Sequence, residues 1–229
     1  MTLIKEEVKR EKEEYLKEVK RLLINIDMVN GFVKEGALAS TSLQRIIPHN
    51  IELAKGLLNQ EGTAVFFIRD AHMNSAPEFK NFSPHCIFGT EECELFGELK
   101  DLERYYKNTF TYLKNSTNFV FSNEYYESKN NLSYSYYYPE RDFLMDINSM
   151  RNLKEVILNG CLTDICVKNG GITLKNYFDQ MNRDIKVIVE ECGVDTYDAP
   201  GHNREEVNEQ ALKDMETNGL IRVKKYEIK

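Results

Sequence analysis

The sequence predicts an α/β protein in three layers, α/β/α, with a mostly parallel central sheet. Three observations carry this expectation. Short apolar runs of strand length alternate with longer stretches of helical character, the first run has the continuous apolar character of a strand buried on both faces, and several runs close on a charged side chain. With 229 residues and 41% hydrophobic content the chain can bury one sizeable core. The expected organisation is a charged amphipathic helix over residues 1–21 and a single domain over residues 22–229.

The N-terminal stretch is dense in Lys and Glu, with Ile4, Val8, Tyr15, Leu16 and Val19 spaced along one helical face, which suits a helix docked on the body. The first apolar run, residues 22–26, closes on Asp27. Residues 63–69 close on Asp70, residues 110–113 on Lys114 and residues 185–189 on Glu190, while residues 156–158 lead into Gly160. Helices are expected over residues 42–60, 91–106, 164–181 and 203–217, between and after the strands, so that parallel crossovers cover both faces of the sheet. Residues 122–150 fit neither pattern. They carry Tyr125, Tyr126, Tyr134, Tyr136, Tyr137 and Tyr138 among Asn and Ser, and rings with a wet hydroxyl suit a lid, a subunit contact or a surface excursion.

Composition excludes several classes. Lys and Arg number 30 against 37 Asp and Glu, a formal charge of -7 without a basic block, which argues against a nucleic-acid partner. The longest apolar stretches, such as residues 64–68, fall far short of the roughly 18 to 20 residues of a membrane span, and the N-terminus is charged from Lys5 onward. Cys86, Cys93, Cys161, Cys166 and Cys192 are odd in number and lack CxxC spacing, against both a disulfide framework and a cysteine-rich zinc site. A cytoplasmic protein with reduced thiols, a small-molecule partner and a homo-oligomeric assembly is expected.

Open parallel sheets bind ligands at the carboxyl ends of their strands, where Asp27, Asp70 and Lys114 fall. A turn carrying Cys166 follows the fourth strand to the same edge. Each residue alone also suits a turn or a small buried hydrophobe; the coincidence of four is what points to a site. Thr163 and Asp164 suit a helix start, which puts Cys166 in the first turn, where the helix dipole and nearby cations would favour the nucleophilic thiolate. A carboxylate such as Asp27 can take the thiol proton and return it to a leaving amine, with an ammonium beside it. Asp70, His72, Glu78 and His85 form a second cluster. Its two imidazoles and two carboxylates suit zinc, manganese or iron, although unrelated polar loop residues fit the spacing as well.

Four blocks of sequence resemble the nicotinamidase and isochorismatase-like cysteine hydrolases: Asn25-Ile26-Asp27-Met28-Val29-Asn30-Gly31-Phe32 with Gly36-Ala37-Leu38, Arg69-Asp70-Ala71-His72, Phe82-Ser83-Pro84-His85-Cys86 with Gly89-Thr90, and Gly160 to Val167. The resemblance implies the isochorismatase-like hydrolase fold and an Asp, Lys, Cys triad on Asp27, Lys114 and Cys166. Lys107 is the other candidate lysine, but only Lys114 closes an apolar run, residues 110–113, of the kind that forms a central strand. The resemblance further implies a cis peptide bond before Leu162 and an oxyanion hole from the amides of Leu162 and Cys166. A divalent metal, zinc first, would sit on Asp70, His72 and His85, with Glu78 where many members have a third His. Phe32 and Phe82 match positions that sandwich the substrate ring. Val29 and Gly31 depart from the usual Gln and Asp. The implied reaction is nicotinamide plus water to nicotinate plus ammonia through a Cys166 thioester. A different small amide or carbamoyl compound, or a catalytically silent binding relative, are the alternatives.

Overall fold

The computed structural model describes residues 12–120 and 139–228. Six strands form one sheet in the order β3-β2-β1-β4-β5-β6, every neighbouring pair parallel: β1 (Arg21–Ile26), β2 (Thr63–Asp70), β3 (Thr109–Lys114), β4 (Glu155–Cys161), β5 (Lys186–Asp195) and β6 (Ile221–Val223). Because successive side chains of a strand face opposite sides, Leu22, Ile24 and Ile26 enter one apolar layer and Leu23 the other. The first layer is closed by α1 (residues 12–18), α5 (Pro139–Ser149), α6 (Lys168–Gln180) and α7 (Arg204–Thr217), through Leu16, Phe143, Ile147, Leu174, Phe178 and Met215. The second is closed by α2 (Asn30–Val33), α3 (Ile47–Leu58) and α4 (Leu99–Tyr105), through Phe32, Leu53, Leu57 and Leu102. The three-layer α/β/α expectation is met.

The details differ from expectation for local reasons. The expected helix over residues 42–60 is a 3-10 segment, Thr41–Ile46, followed by α3, with Pro48 near the start of α3. Only Leu99–Tyr105 of residues 91–106 is α-helical, beyond a short 3-10 turn, Glu91–Cys93, and Gly97, whose φ of 58° breaks a helix. Glu190 does not end β5. The strand runs on to Asp195, and its register against β4 shifts between Leu158 and Gly160. Gly160 stands at φ 110°, and a Cβ there would lie 2.0 Å from the carbonyl oxygen of Ile26 on β1, so the close approach of β4 to β1 at this point requires glycine. Residues 122–138 of the tyrosine segment lie outside the described residues, and the segment ends in α5, whose Phe143 and Ile147 are buried in the core.

β1 lies between β2 and β4, so the chain leaves it in opposite directions on its two sides. This is the switch point at which parallel sheets open a crevice. Asp27 follows β1 directly and the turn bearing Cys166 follows β4, so these two residues border that crevice. Asp70 and Lys114 are the last residues of β2 and β3 and are paired in register.

Candidate active site

Asp27, Lys114 and Cys166 are all buried and meet at this edge. Lys114 Nζ lies 2.9 Å from Asp27 Oδ2 and 2.7 Å from Asp70 Oδ1, and donates to Cys166 Sγ at 3.6 Å. Lys107 is exposed and remote from these groups in the sheet, beyond the N-terminal end of β3. Burial alone would pull the Lys114 pKa down. The carboxylates of Asp27 and Asp70 outweigh burial and hold it well above the ordinary lysine value, so the ammonium is permanent. For Asp27, burial dominates and Lys114 opposes it, leaving the carboxyl pushed up to about 7.

Cys166 differs from expectation in two ways. It sits in a π turn, Thr163–Val167, ahead of α6, with the amides of Ile165 and Val167 both donating to the Leu162 carbonyl at 3.1 Å. Asp164 does not cap the helix; it accepts from the Thr196 hydroxyl at 2.6 Å and meets His202 Nε2 at 3.1 Å. The pull toward thiolate expected of a helix start is also outweighed here. Burial drives the Cys166 pKa well above the ordinary thiol value and Lys114 offsets only part of that, so the proton stays on sulfur with Asp27 beside it. The Cys161–Leu162 peptide bond is cis, the conformation implied for the turn that carries the amides of Leu162 and Cys166.

Asp70 joins this group to the second cluster. One of its oxygens meets Lys114, and the other lies 2.8 Å from His72 Nε2 and 3.3 Å from His85 Nε2. Glu78 Oε1 lies 3.2 and 3.4 Å from the same two nitrogens. One donor atom from each of the four residues falls within 4.8 Å of all the others. Four N and O donors bound tetrahedrally at about 2.1 Å stand about 3.4 Å apart, so these separations fit a divalent ion such as zinc. Both imidazoles turn Nε2 inward and anchor Nδ1, His85 on the Ser83 carbonyl and His72 on Asn115 Oδ1, each at 2.8 Å. Burial works against protonating them, yet the carboxylates of Asp70 and Glu78 prevail, pushing His72 up to about 10 and His85 to about 9. The cluster attracts positive charge.

Phe32 and Phe82 border this cluster, their ring centroids 5.4 and 6.4 Å from that of His85. Sequence reasoning missed Phe79, which lies edge-on to His72 and His85 at 5.3 and 5.6 Å, and it missed Asn115. Adjacency to Glu78 and to Lys114 was the only available signal for these two. The departure at Gly31 has a steric basis, since a Cβ there would lie 2.5 Å from Cys86 Sγ. Val29 forms a lone antiparallel bridge with Leu95.

A parallel α/β sheet whose switch-point crevice holds a buried carboxylate, ammonium and thiol defines an α/β protein with a cysteine-centred site. The chain belongs to the isochorismatase family: the model described as "Isochorismatase domain" matches residues 21–221. It is 28% identical over 189 residues to Nicotinamidase 1 of Arabidopsis thaliana, covering 79% of this chain and 71% of that protein. The crystal structure of nicotinamidase PncA from Bacillus subtilis superposes with a TM-score of 0.69 at 25% identity, over 90% of this chain and all of that one. Pyrazinamidase of Pyrococcus horikoshii in complex with zinc shares the fold, with a TM-score of 0.63 at 19% identity over 89% of this chain and 98% of that one. Among the described residues no helix is long and apolar enough to cross a membrane.

Proposed function

We propose that this chain is a nicotinamidase-like amidohydrolase that converts nicotinamide and water to nicotinate and ammonia, with Cys166 as nucleophile. The observation that carries the reading is the buried meeting of Asp27, Lys114 and Cys166 beside a cluster of two imidazoles and two carboxylates. That the chain is an amide-hydrolysing enzyme rests on its family and on its likeness to nicotinamidases.

In the resting site the proton is on sulfur. Asp27 takes it as Cys166 Sγ attacks the carboxamide carbon, and the oxyanion accepts from the backbone N–H groups of Leu162 and Cys166. The C–N bond then breaks, and Asp27 returns the proton so that ammonia leaves. Asp27 next accepts a proton from a water that adds to the nicotinoyl thioester, the C–S bond breaks, nicotinate departs and sulfur recovers its proton. Lys114 stays charged throughout, orienting Asp27 and countering negative charge as it moves between carboxylate and sulfur. Phe32 and Phe82 would flank the pyridine ring. Asp70, His72, Glu78 and His85 would hold a divalent ion, zinc first and manganese or iron as alternatives, which would supply a Lewis-acid seat for the pyridine nitrogen. Five free cysteines support a reducing, cytoplasmic setting, and residues 22–229 would act as one domain within a homo-oligomer.

Ammonia release from nicotinamide tests the reading directly. Chelation should remove turnover, added zinc should restore it, and benzamide, which lacks the ring nitrogen, should react roughly 10²-fold more slowly or worse. Full turnover of metal-free protein, or equal rates on benzamide, would sink the metal-anchored substrate and favour another small amide. Absence of ammonia from nicotinamide under all metal conditions would sink the substrate altogether.

A further inference from the structure

A neutral imidazole carries one N–H and one lone pair, and whichever group faces one nitrogen decides which of the two the other nitrogen presents. The two histidines of the cluster solve this differently. His85 Nδ1 donates to the backbone carbonyl of Ser83, an acceptor that no side-chain substitution removes. His72, fully buried, has Asn115 Oδ1 against its Nδ1 at 2.8 Å, and Asn115 is itself buried. We propose that Asn115 is a positioning residue for the metal centre: by accepting from the Nδ1–H of His72 it fixes the tautomer whose Nε2 lone pair faces a divalent cation. This rests on the reading of Asp70, His72, Glu78 and His85 as a metal site.

The backbone explains how Asn115 reaches His72. Side chains alternate along a strand, so neighbours cannot share one target, but β3 stops at Lys114 and residues 115–117 form a bend. Lys114 therefore turns to Asp27 and Asp70 while the next side chain turns to His72. The Ala71 amide donates to the Lys114 carbonyl at 2.8 Å, which holds the ends of β2 and β3 together and keeps His72 opposite Asn115. The chemistry favours an amide here. Its oxygen accepts without adding charge, whereas a carboxylate would be a third anion beside Asp70 and Glu78. The opposite amide orientation would require a lone pair on Nδ1 and a proton on Nε2, in competition with the ion. One two-residue step thus serves the lysine–thiol group and the metal cluster together.

The test compares metal-stripped wild type, Asn115→Leu, which keeps volume and loses the acceptor, and Asn115→Asp, which keeps an acceptor. Zinc affinity is read by competition with a chromophoric chelator, and the His72 ring protons of the zinc-loaded proteins by ¹H–¹⁵N NMR. Asn115→Leu should bind zinc about 10- to 100-fold more weakly and lose the hydrogen-bonded Nδ1–H signal. Asn115→Asp should stay within about threefold of wild type, or bind more tightly, and keep that signal. If Asn115→Leu fails to fold, Asn115→Ser, whose oxygen is too short to reach, carries the same expectation. Wild-type affinity in the variants that lack the acceptor overturns the assignment, as does an Asn115→Asp variant as weak as Asn115→Leu, which would mean packing rather than acceptance. Wild type that binds no zinc, manganese or iron overturns the metal reading itself.

Discussion

Asp27 and Asp195 are both fully buried carboxylates at the carboxyl ends of strands, and they are treated in opposite ways. Asp195 is saturated: Oδ1 accepts from the Thr196 amide at 2.8 Å, Arg204 Nε at 2.8 Å and Asn208 Nδ2 at 2.9 Å, and Oδ2 takes Arg204 Nη2 at 3.1 Å. Arg45 completes it on Oδ2. Asp27 has the Lys114 ammonium at 2.9 Å, but neither oxygen accepts a well-aligned hydrogen bond. A carboxylate with every lone pair engaged ties β5, α7 and the segment before α3 into one body. One left under-engaged beside a thiol keeps lone pairs available for a proton, at a cost in solvation. The difference separates a carboxylate that holds structure from one placed to react.

The largest expected effect lies on the reactive side. Cys166→Ala should lower turnover by about 10⁴-fold or more with little change in Tm, while Cys86→Ala and Cys161→Ala keep measurable activity in an ammonia-release assay. Near wild-type turnover by Cys166→Ala would remove the nucleophile from this site. The two aspartates should then respond in reverse. Asp27→Asn should cost about 10²- to 10⁴-fold in kcat and leave chemical denaturation unchanged or shifted toward higher stability. Asp195→Asn should cost about 2 to 3 kcal/mol of stability, less than a wholly buried pair because both arginines reach solvent, with kcat per folded molecule near wild type. If Asp195→Asn proves the more damaging to kcat, hydrogen-bond saturation is not what distinguishes them.

What the sequence revealed follows from the same contrast. Strands β1 and β2, buried on both faces, read as apolar runs, so the residues that stop them, Asp27 and Asp70, stood out without any knowledge of contacts; Lys114 closes β3, which proves to be a half-buried edge strand and not the central strand its apolar run suggested. The edge strand β6 gave no such signal, being three residues long with Ile221 exposed. Helix α5 was hidden behind a run of tyrosines. Asp195 lay beyond the expected end of β5, and its partners Arg45 and Asn208 are distant in the chain or on another element. Asn115 meets His72 across 43 positions, a contact that no periodicity encodes. The pull toward thiolate at Cys166 was overweighted because local sequence shows a helix start and cations but not how completely the thiol is shut away from water.

The smallest effect, and the one that probes Asp27 most directly, is its pH dependence. Burial raises this carboxyl to about 7, against an ordinary value near 4. As the base it must be ionised, so kcat/KM should fall as pH drops through about 7, approaching tenfold per unit below it. Stability should move the other way. Between about pH 4 and 7 the folded protein holds a proton on Asp27 that the unfolded chain has lost, so this group's contribution to stability is present at low pH and declines as pH rises through the folded pKa. Asn cannot titrate, and the other buried groups are common to both proteins, so the relevant quantity is the stability of Asp27→Asn minus that of wild type. That difference should grow from pH 4 to pH 7 in denaturant titrations, while wild-type activity climbs over the same interval. A constant difference would mean that Asp27 is as well solvated or as well paired as Asp195, and the proposed division between a holding and a reacting carboxylate would fail with it.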